Sequence, residues 1–293
     1  MIADRPDELP VGFRRETRIV DGASVTALIG GEGPPLVLLH GWPQTSRAWL
    51  PVAPALAAAG YSVMAPDLPG LGGSEALPGG YAKDAVAAAL QSLAKELMGV
   101  GPLRVVGHDI GGMVAFAWAR TRPEEVVRLA VVDTGLPGLG LERAMDVARG
   151  GRWHHGFFMT PDVPAMLLAD TEQEFFEWWF ARLSGDGEVF SAAEVAATTA
   201  SYRGREALDR SFGHYRALLD DGCTTAAWLA AGGRLAMPVA AIGGGLSLGD
   251  RVAQDLTPAA PDLRGIVIDG AGHFVAEEQP DRFVHQLLRF LDA

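Results

Sequence analysis

The feature that most constrains this chain is the stretch VVGHDIGGMVAF, residues 105–116. Val105 and Val106 close a β-branched run, a glycine-flanked turn follows, and an apolar helix-like segment begins at Met113. A strand that turns at once into a helix needs a crossover to reach a parallel neighbour. This stretch therefore commits the chain to a layered α/β architecture. The turn frame is Gly107-His108-Asp109-Ile110-Gly111, with a carboxylate at its centre. A strained turn of this kind holds its central side chain above the end of a sheet. What chemistry needs an aspartate there?

The same alternation runs along the chain. SVTALIG (24–30), PLVLLHG (35–41), YSVMAPD (61–67), LRVVGHD (103–109), VRLAVVDT (127–134), MPVAAIGGG (237–245) and LRGIVIDG (263–270) read as strands. The unbroken apolar character of PLVLLHG suits a strand buried on both faces. SRAWLPVAPALAAAG (46–60), with Gly60 as C-cap, YAKDAVAAALQSLAKELMGVG (81–101) and the terminal DRFVHQLLRFLDA have helical spacing. The rhythm breaks between about 137 and 232, where Trp, Phe, Ala and Leu recur at helical spacing and no strand is evident. Within it, TEQEFFEWWFARL (171–183) and AAEVAATTASY (192–202) read as helices with N-caps at Thr171 and Ser191. The expected organisation is a mostly parallel α/β core of residues 1–136 and 233–293. A helical lid, 137–232, is inserted after the sixth strand.

Composition narrows the partners. A net charge of −12 disfavours nucleic acid and anionic membranes, whose phosphates call for basic patches. No apolar run reaches the length of a membrane span, and MIADRPDELPVGF lacks the apolar centre of a secretory signal. Cys223 is the only cysteine, so neither a disulfide framework nor a cysteine metal cluster is expected. The expectation is a cytoplasmic protein acting on a small molecule, with no cofactor, metal, nucleic acid or membrane. A homodimer is left open.

Two further stretches carry polar groups at strand ends. His40-Gly41-Trp42-Pro43 follows a buried strand, and DGAGHFVAEEQP sets His273 in a glycine-rich loop before the last helix. VVDT leaves Asp133 at the tip of the strand after the turn-borne aspartate's helix. Taken singly, Asp109 could be a helix N-cap and His273 a satisfied polar residue. Together they give the chain order nucleophile, acid, histidine, and independent levels of the sequence agree on it. His108, His214 and His285 are read as structural.

The segments HGWPQT, GHDIGG, VVDTGLPG, WHHGFF…PD, HYRAL and GAGHFVAEEQP resemble, in order, those of an α/β-hydrolase of the epoxide hydrolase and haloalkane/haloacetate dehalogenase group. The resemblance spans essentially the whole chain. It implies an α/β-hydrolase fold with an eight-stranded sheet and an inserted helical cap. By this resemblance Asp109 is the nucleophile, His273 the general base and Asp133 its orienting acid. Some relatives carry that acid after the next core strand, where GGGLSLGD offers only Asp250, several residues beyond the strand.

The aspartate then has a chemical reason. A serine attacking a saturated carbon would make an ether, which water does not readily cleave. An aspartate makes an ester, whose carbonyl carbon His273-activated water can attack. The backbone N–H groups of Trp42 and Ile110 are the expected oxyanion donors. For the leaving group, Tyr215 of HYRAL matches the family's ring-opening tyrosine, and His154 stands where some relatives carry a histidine partner. His155, Trp153 and Phe157 are placed at the substrate, in an aromatic-rich lid with Phe158, Trp178 and Trp179. Haloalkane dehalogenases typically show Asn and Trp where this chain has Trp42 and Ile110. Fluoroacetate dehalogenases carry an arginine in the place of Ile110 and a tryptophan in that of His155. The expected function is hydrolysis of an apolar epoxide. The alternatives are halide displacement by the same aspartate and a non-catalytic ligand-binding protein of the same fold.

Overall fold

The apolar runs form the centre of a single eight-stranded sheet. The computed structural model describes residues 9–185 and 189–293. Residues 1–8, most of the segment read for a secretory signal, lie outside the described residues. The strands are β1 (Phe13–Val20), β2 (Ala23–Gly30), β3 (Pro35–Leu39), β4 (Ser62–Pro66), β5 (Leu103–His108), β6 (Val126–Val132), β7 (Val239–Gly244) and β8 (Leu263–Ile268). Their order is β1-β2-β4-β3-β5-β6-β7-β8. β2 pairs antiparallel with β1 and β4, and the other pairings are parallel.

The period-two alternation of strand side chains sorts the central residues into two cores. Val37, Leu39, Val105, Leu129, Val131, Val239 and Ala241 face one way. Leu36, Leu38, Val106, Ala130, Val132, Ala240 and Ile242 face the other. Full burial of one such Val, Leu or Ile side chain is worth about 1.5–3 kcal/mol, so both faces must be covered. α1 (Ala53–Ala58) and, at the C-terminus, α12 (Val275–Glu278) and α13 (Pro280–Leu291) cover one face. α2 (Lys83–Met98), α3 (Ile110–Thr121) and α11 (Arg251–Leu256) cover the other.

Between β6 and β7 the described residues form no strand. They fold into α4 (Leu141–Ala144), α5 (Trp153–Met159), α6 (Val163–Leu168), α7 (Glu172–Leu183), α8 (Ala192–Thr199), α9 (Arg205–Arg216) and α10 (Leu218–Ala230). This helical cap shares its core with the sheet through Trp42. Its ring centroid lies 4.6 Å from that of Phe158, 5.2 Å from Trp179 and 5.7 Å from each of Phe176, Phe212 and Tyr215. A buried ion pair adds a second tie, with Lys83 Nζ of α2 3.0 Å from Asp221 Oδ2 of α10 and donating also to the His214 carbonyl.

Three local readings are corrected. FRRETRIV, absent from the expected strands, is β1, an edge strand bearing Arg14, Arg15, Glu16 and Arg18. Such charge hides the strand pattern while protecting an open edge. The expected helix at 46–60 is divided into a 3-10 turn at Ser46–Trp49 and α1, because Pro51 and Pro54 supply no backbone N–H between them. Ser191 forms a full capping box with Glu194, whereas the Thr171 hydroxyl donates backward to the Leu168 carbonyl and caps nothing.

Candidate active site

Asp109 sits where β5 becomes α3, with φ +49° and ψ −123°, a combination that favours glycine. Glycines around it make the turn possible. A Cβ on Gly107 would lie 2.1 Å from the Gly111 carbonyl oxygen, and one on Gly41 would lie 2.4 Å from Asp109 Cβ. The loop after β3 therefore presses its backbone onto the aspartate. The Trp42 N–H donates to Asp109 Oδ2 at 3.0 Å. Ile110 opens α3 beside it, and the hydrogen bonds of the described residues give its N–H no acceptor. Oδ1 of Asp109 likewise has no hydrogen bond among the described residues, and the carboxylate borders a cavity of about 580 Å³.

The same cavity is bordered by His273 and Asp133, buried at the ends of the loop after β8 and of β6. His273 Nδ1 donates to Asp133 Oδ2 at 2.8 Å, which leaves Nε2 as the basic nitrogen. Asp133, also at positive φ (+42°), accepts from Gly244 N–H (2.9 Å), Leu248 N–H (3.2 Å) and the Ser247 hydroxyl (2.7 Å). Burial alone would raise its pKa, but the His273 and Ser247 bonds and the Gly244 amide hold it below the usual carboxylate value. Asp250 makes no hydrogen bond to His273 among the described residues. Its Oδ2 accepts from the Gln254 amide, on the cavity wall.

His273 is braced by groups to which the sequence reading gave no part in the site. His108 donates from Nε2 to the His273 carbonyl at 2.8 Å, and its Nδ1 lies 3.1 Å from the Gln44 amide oxygen. Burial pushes the His108 pKa down to about 4. Glu278 takes N–H bonds from Gly272 (2.7 Å) and Phe274 (2.8 Å), on either side of His273, and from Gly185 of the cap (2.8 Å). Ser247 and Gln44 lie within quoted segments but acquire their roles only from partners far along the chain, as does Glu278 through Gly185.

From the cap, Tyr215, His154 and His155 reach the cavity. Burial, then the Asp109 charge, raises the Tyr215 pKa well above the ordinary phenol value, so it is a protonated donor at neutral pH. Burial and the neighbouring His155 push His154 down to about 2, and burial also lowers His155. Both rings are uncharged. Trp153 and Phe157, expected at the substrate, do not border the cavity and are corrected to packing residues. They share a helix with the two histidines but lie off the cavity wall, with Trp153 44% exposed and its ring tilted against those of Phe157 and Trp178. Trp179, Met113 and Leu183 supply apolar wall instead. The outer wall is more polar than an apolar epoxide requires, with Arg143, Arg149, Arg152 and Arg251 among its residues. His214, on Pro69 O at 2.9 Å, and the exposed His285 lie away from the cavity wall.

A mostly parallel α/β sheet with an aspartate on a strand–helix elbow, a backbone amide on that side chain and a histidine–carboxylate pair on the same cavity is the arrangement of a hydrolase. The chain belongs to the alpha/beta hydrolase fold family, whose model matches residues 34–280. It is 33% identical to a soluble epoxide hydrolase from Corynebacterium sp. (strain C12), over 93% of this chain and 95% of that protein. It is 29% identical to a fluoroacetate dehalogenase from Burkholderia sp., over 96% and 94% of the two chains. The Cif epoxide hydrolase from Acinetobacter nosocomialis superposes with a TM-score of 0.91 at 25% identity, covering 98% of this chain and 91% of that one. No helix of the described residues is long and apolar enough to cross a membrane.

Proposed function

We propose that the protein is an epoxide hydrolase that forms a covalent ester on Asp109. The observation that carries this reading is the Tyr215 ring, packed beside His154 and His155 and bordering one cavity with the Asp109 carboxylate. Oδ1 attacks a ring carbon, the carbon–oxygen bond breaks, and the ring oxygen takes the Tyr215 proton. An alkoxide is a far stronger base than a phenolate, so the transfer is downhill even with the phenol pKa raised. In the second step His273 Nε2 takes a proton from water, which attacks Cγ of the ester. Charge develops on Oδ2, the oxygen the Trp42 N–H already holds, with the Ile110 N–H as second donor. Asp133 stabilises the imidazolium. Collapse releases the vicinal diol, and a proton returns to Tyr215. In this reading residues 137–232 are the lid that brings Tyr215 over the nucleophile.

Displacement of halide by the same aspartate is the second reading, favoured by the likeness to the fluoroacetate dehalogenase. Against it, Ile110 is a buried aliphatic residue, and a departing halide needs no phenol proton. Assay of styrene oxide beside matched haloalkanes and haloacetates separates the two. Diol formation without halide release is expected, and halide release without epoxide turnover would overturn the proposal. Tyr215→Phe is expected to slow alkylation of Asp109 by about 10²–10³-fold, the usual worth of one positioned donor, and to slow ester hydrolysis less. Pre-steady-state measurement of the two steps checks this. An unchanged alkylation rate would move the donor's role to His154 or His155.

A further inference from the structure

The arginines on the cavity wall are not a reflection of overall charge, since the chain carries −12. Nor are they equivalent. Arg143 is 69% exposed and pairs with Asp255 at 3.0 Å, Arg149 is 87% exposed beside Asp146, and Arg251 is exposed. Arg152 is half-buried and has no carboxylate partner among the described residues. It immediately precedes α5, and its charge reaches His154, His155 and Tyr215. Its backbone is fixed, with its N–H on the Ala144 carbonyl at 2.6 Å and Gly151 N–H on Asp146 O at 2.9 Å.

A half-buried cation without a counter-charge gives up hydration and gains nothing from the fold in return. The guanidinium fork matches a carboxylate in two parallel hydrogen bonds. A negative substrate approaching the Asp109 carboxylate is repelled unless a cation stands beside the path, and Arg152 stands there. Resting on the epoxide reading above, we propose that Arg152 is a substrate anchor and that the preferred substrates are epoxides bearing a carboxylate. The acid group binds Arg152 while the ring lies between Asp109 and Tyr215. The cavity's volume of about 580 Å³ lies within the range that holds a small organic acid of this kind.

The test compares a medium-chain fatty acid carrying a terminal epoxide with its methyl ester, at a pH where the acid is ionised. Wild-type kcat/KM is expected to favour the acid by on the order of 10- to 100-fold, mostly through KM, as a charge-assisted bidentate contact provides. Arg152→Gln is expected to bring the acid-to-ester ratio close to one, whatever it does to both rates together. Arg152→Lys keeps the charge without the fork and is expected to retain part of the preference. The saturated acid should inhibit the wild type, and the alcohol of equal length should not. Equal turnover of acid and ester by the wild type would overturn the anchor while leaving the epoxide reading intact. So would a preference that survives Arg152→Gln. No turnover of acid, ester or styrene oxide would overturn the epoxide reading, and this inference with it.

Discussion

Asp109→Asn is expected to lower turnover by at least on the order of 10⁴-fold, as loss of a nucleophile does in other covalent hydrolases, while the protein stays folded. The amide oxygen can still accept the Trp42 N–H that now reaches Oδ2 at 3.0 Å, and the side-chain volume is unchanged. The thermal midpoint should therefore move by only a few degrees. The backbone adds a second, independent expectation. At φ +49° and ψ −123° a side-chain-bearing residue is strained by about 1–3 kcal/mol, a cost glycine does not carry. Asp109→Gly should be equally inactive yet at least as stable as the Asn variant, which marks the strain as serving the site and not the fold. Thermal unfolding and steady-state assays on freshly purified protein check both. A substantial residual rate in Asp109→Asn, with deamidation excluded by intact mass, would remove Asp109 from the nucleophile's role.

The sequence carried the core more plainly than the cap, for physical reasons. Residues such as Leu36–Leu39 and Val239–Gly244 are buried on both faces, so their strands have no polar side to interrupt an apolar run. The elbow was evident because close backbone approach admits only glycine at Gly107 and Gly41, which leaves a mark at fixed spacing. His273 and Asp133 could be placed by chain order, and they meet at 2.8 Å. What order cannot give is the identity of neighbours far apart in sequence. Glu278 bridges to Gly185 across 93 residues, and Gln44 to Glu277 across 233. The cap failed in a different way. On the short helix α5, Trp153 and Phe157 are four residues apart and share one face while His154 and His155 take another, and every face carries an aromatic ring, so the face that meets the cavity could not be told without the packing. Arg152, one residue outside the WHHGFF segment, acquired meaning only when the cavity wall was seen.

His273→Gln is expected to divide the reaction at its midpoint. The first step needs the Asp109 carboxylate and a proton donor on the cap side, and neither depends on the imidazole. The second needs a base for water, which an amide does not provide. General-base catalysis is typically worth about 10²–10⁴-fold, so hydrolysis should stall while alkylation proceeds. The Gln amide can still donate to Asp133, whose carboxylate keeps the Gly244, Leu248 and Ser247 donors, so the loop should hold its place. The covalent ester should then accumulate. Its mass identifies the chemistry. Opening an epoxide loses no atoms, so the trapped protein gains the whole mass of the substrate. Displacing a halide leaves the protein heavier by the substrate less one hydrogen halide. Incubation of His273→Gln with matched epoxides and halides, intact-mass measurement, and mapping of the adduct to the peptide containing residues 105–116 give the answer in one experiment. Adducts from halides alone would make the protein a dehalogenase. Adducts from epoxides that the wild type converts to diol, and that the variant retains, would establish both the class of substrate and the division of labour between Asp109 and His273.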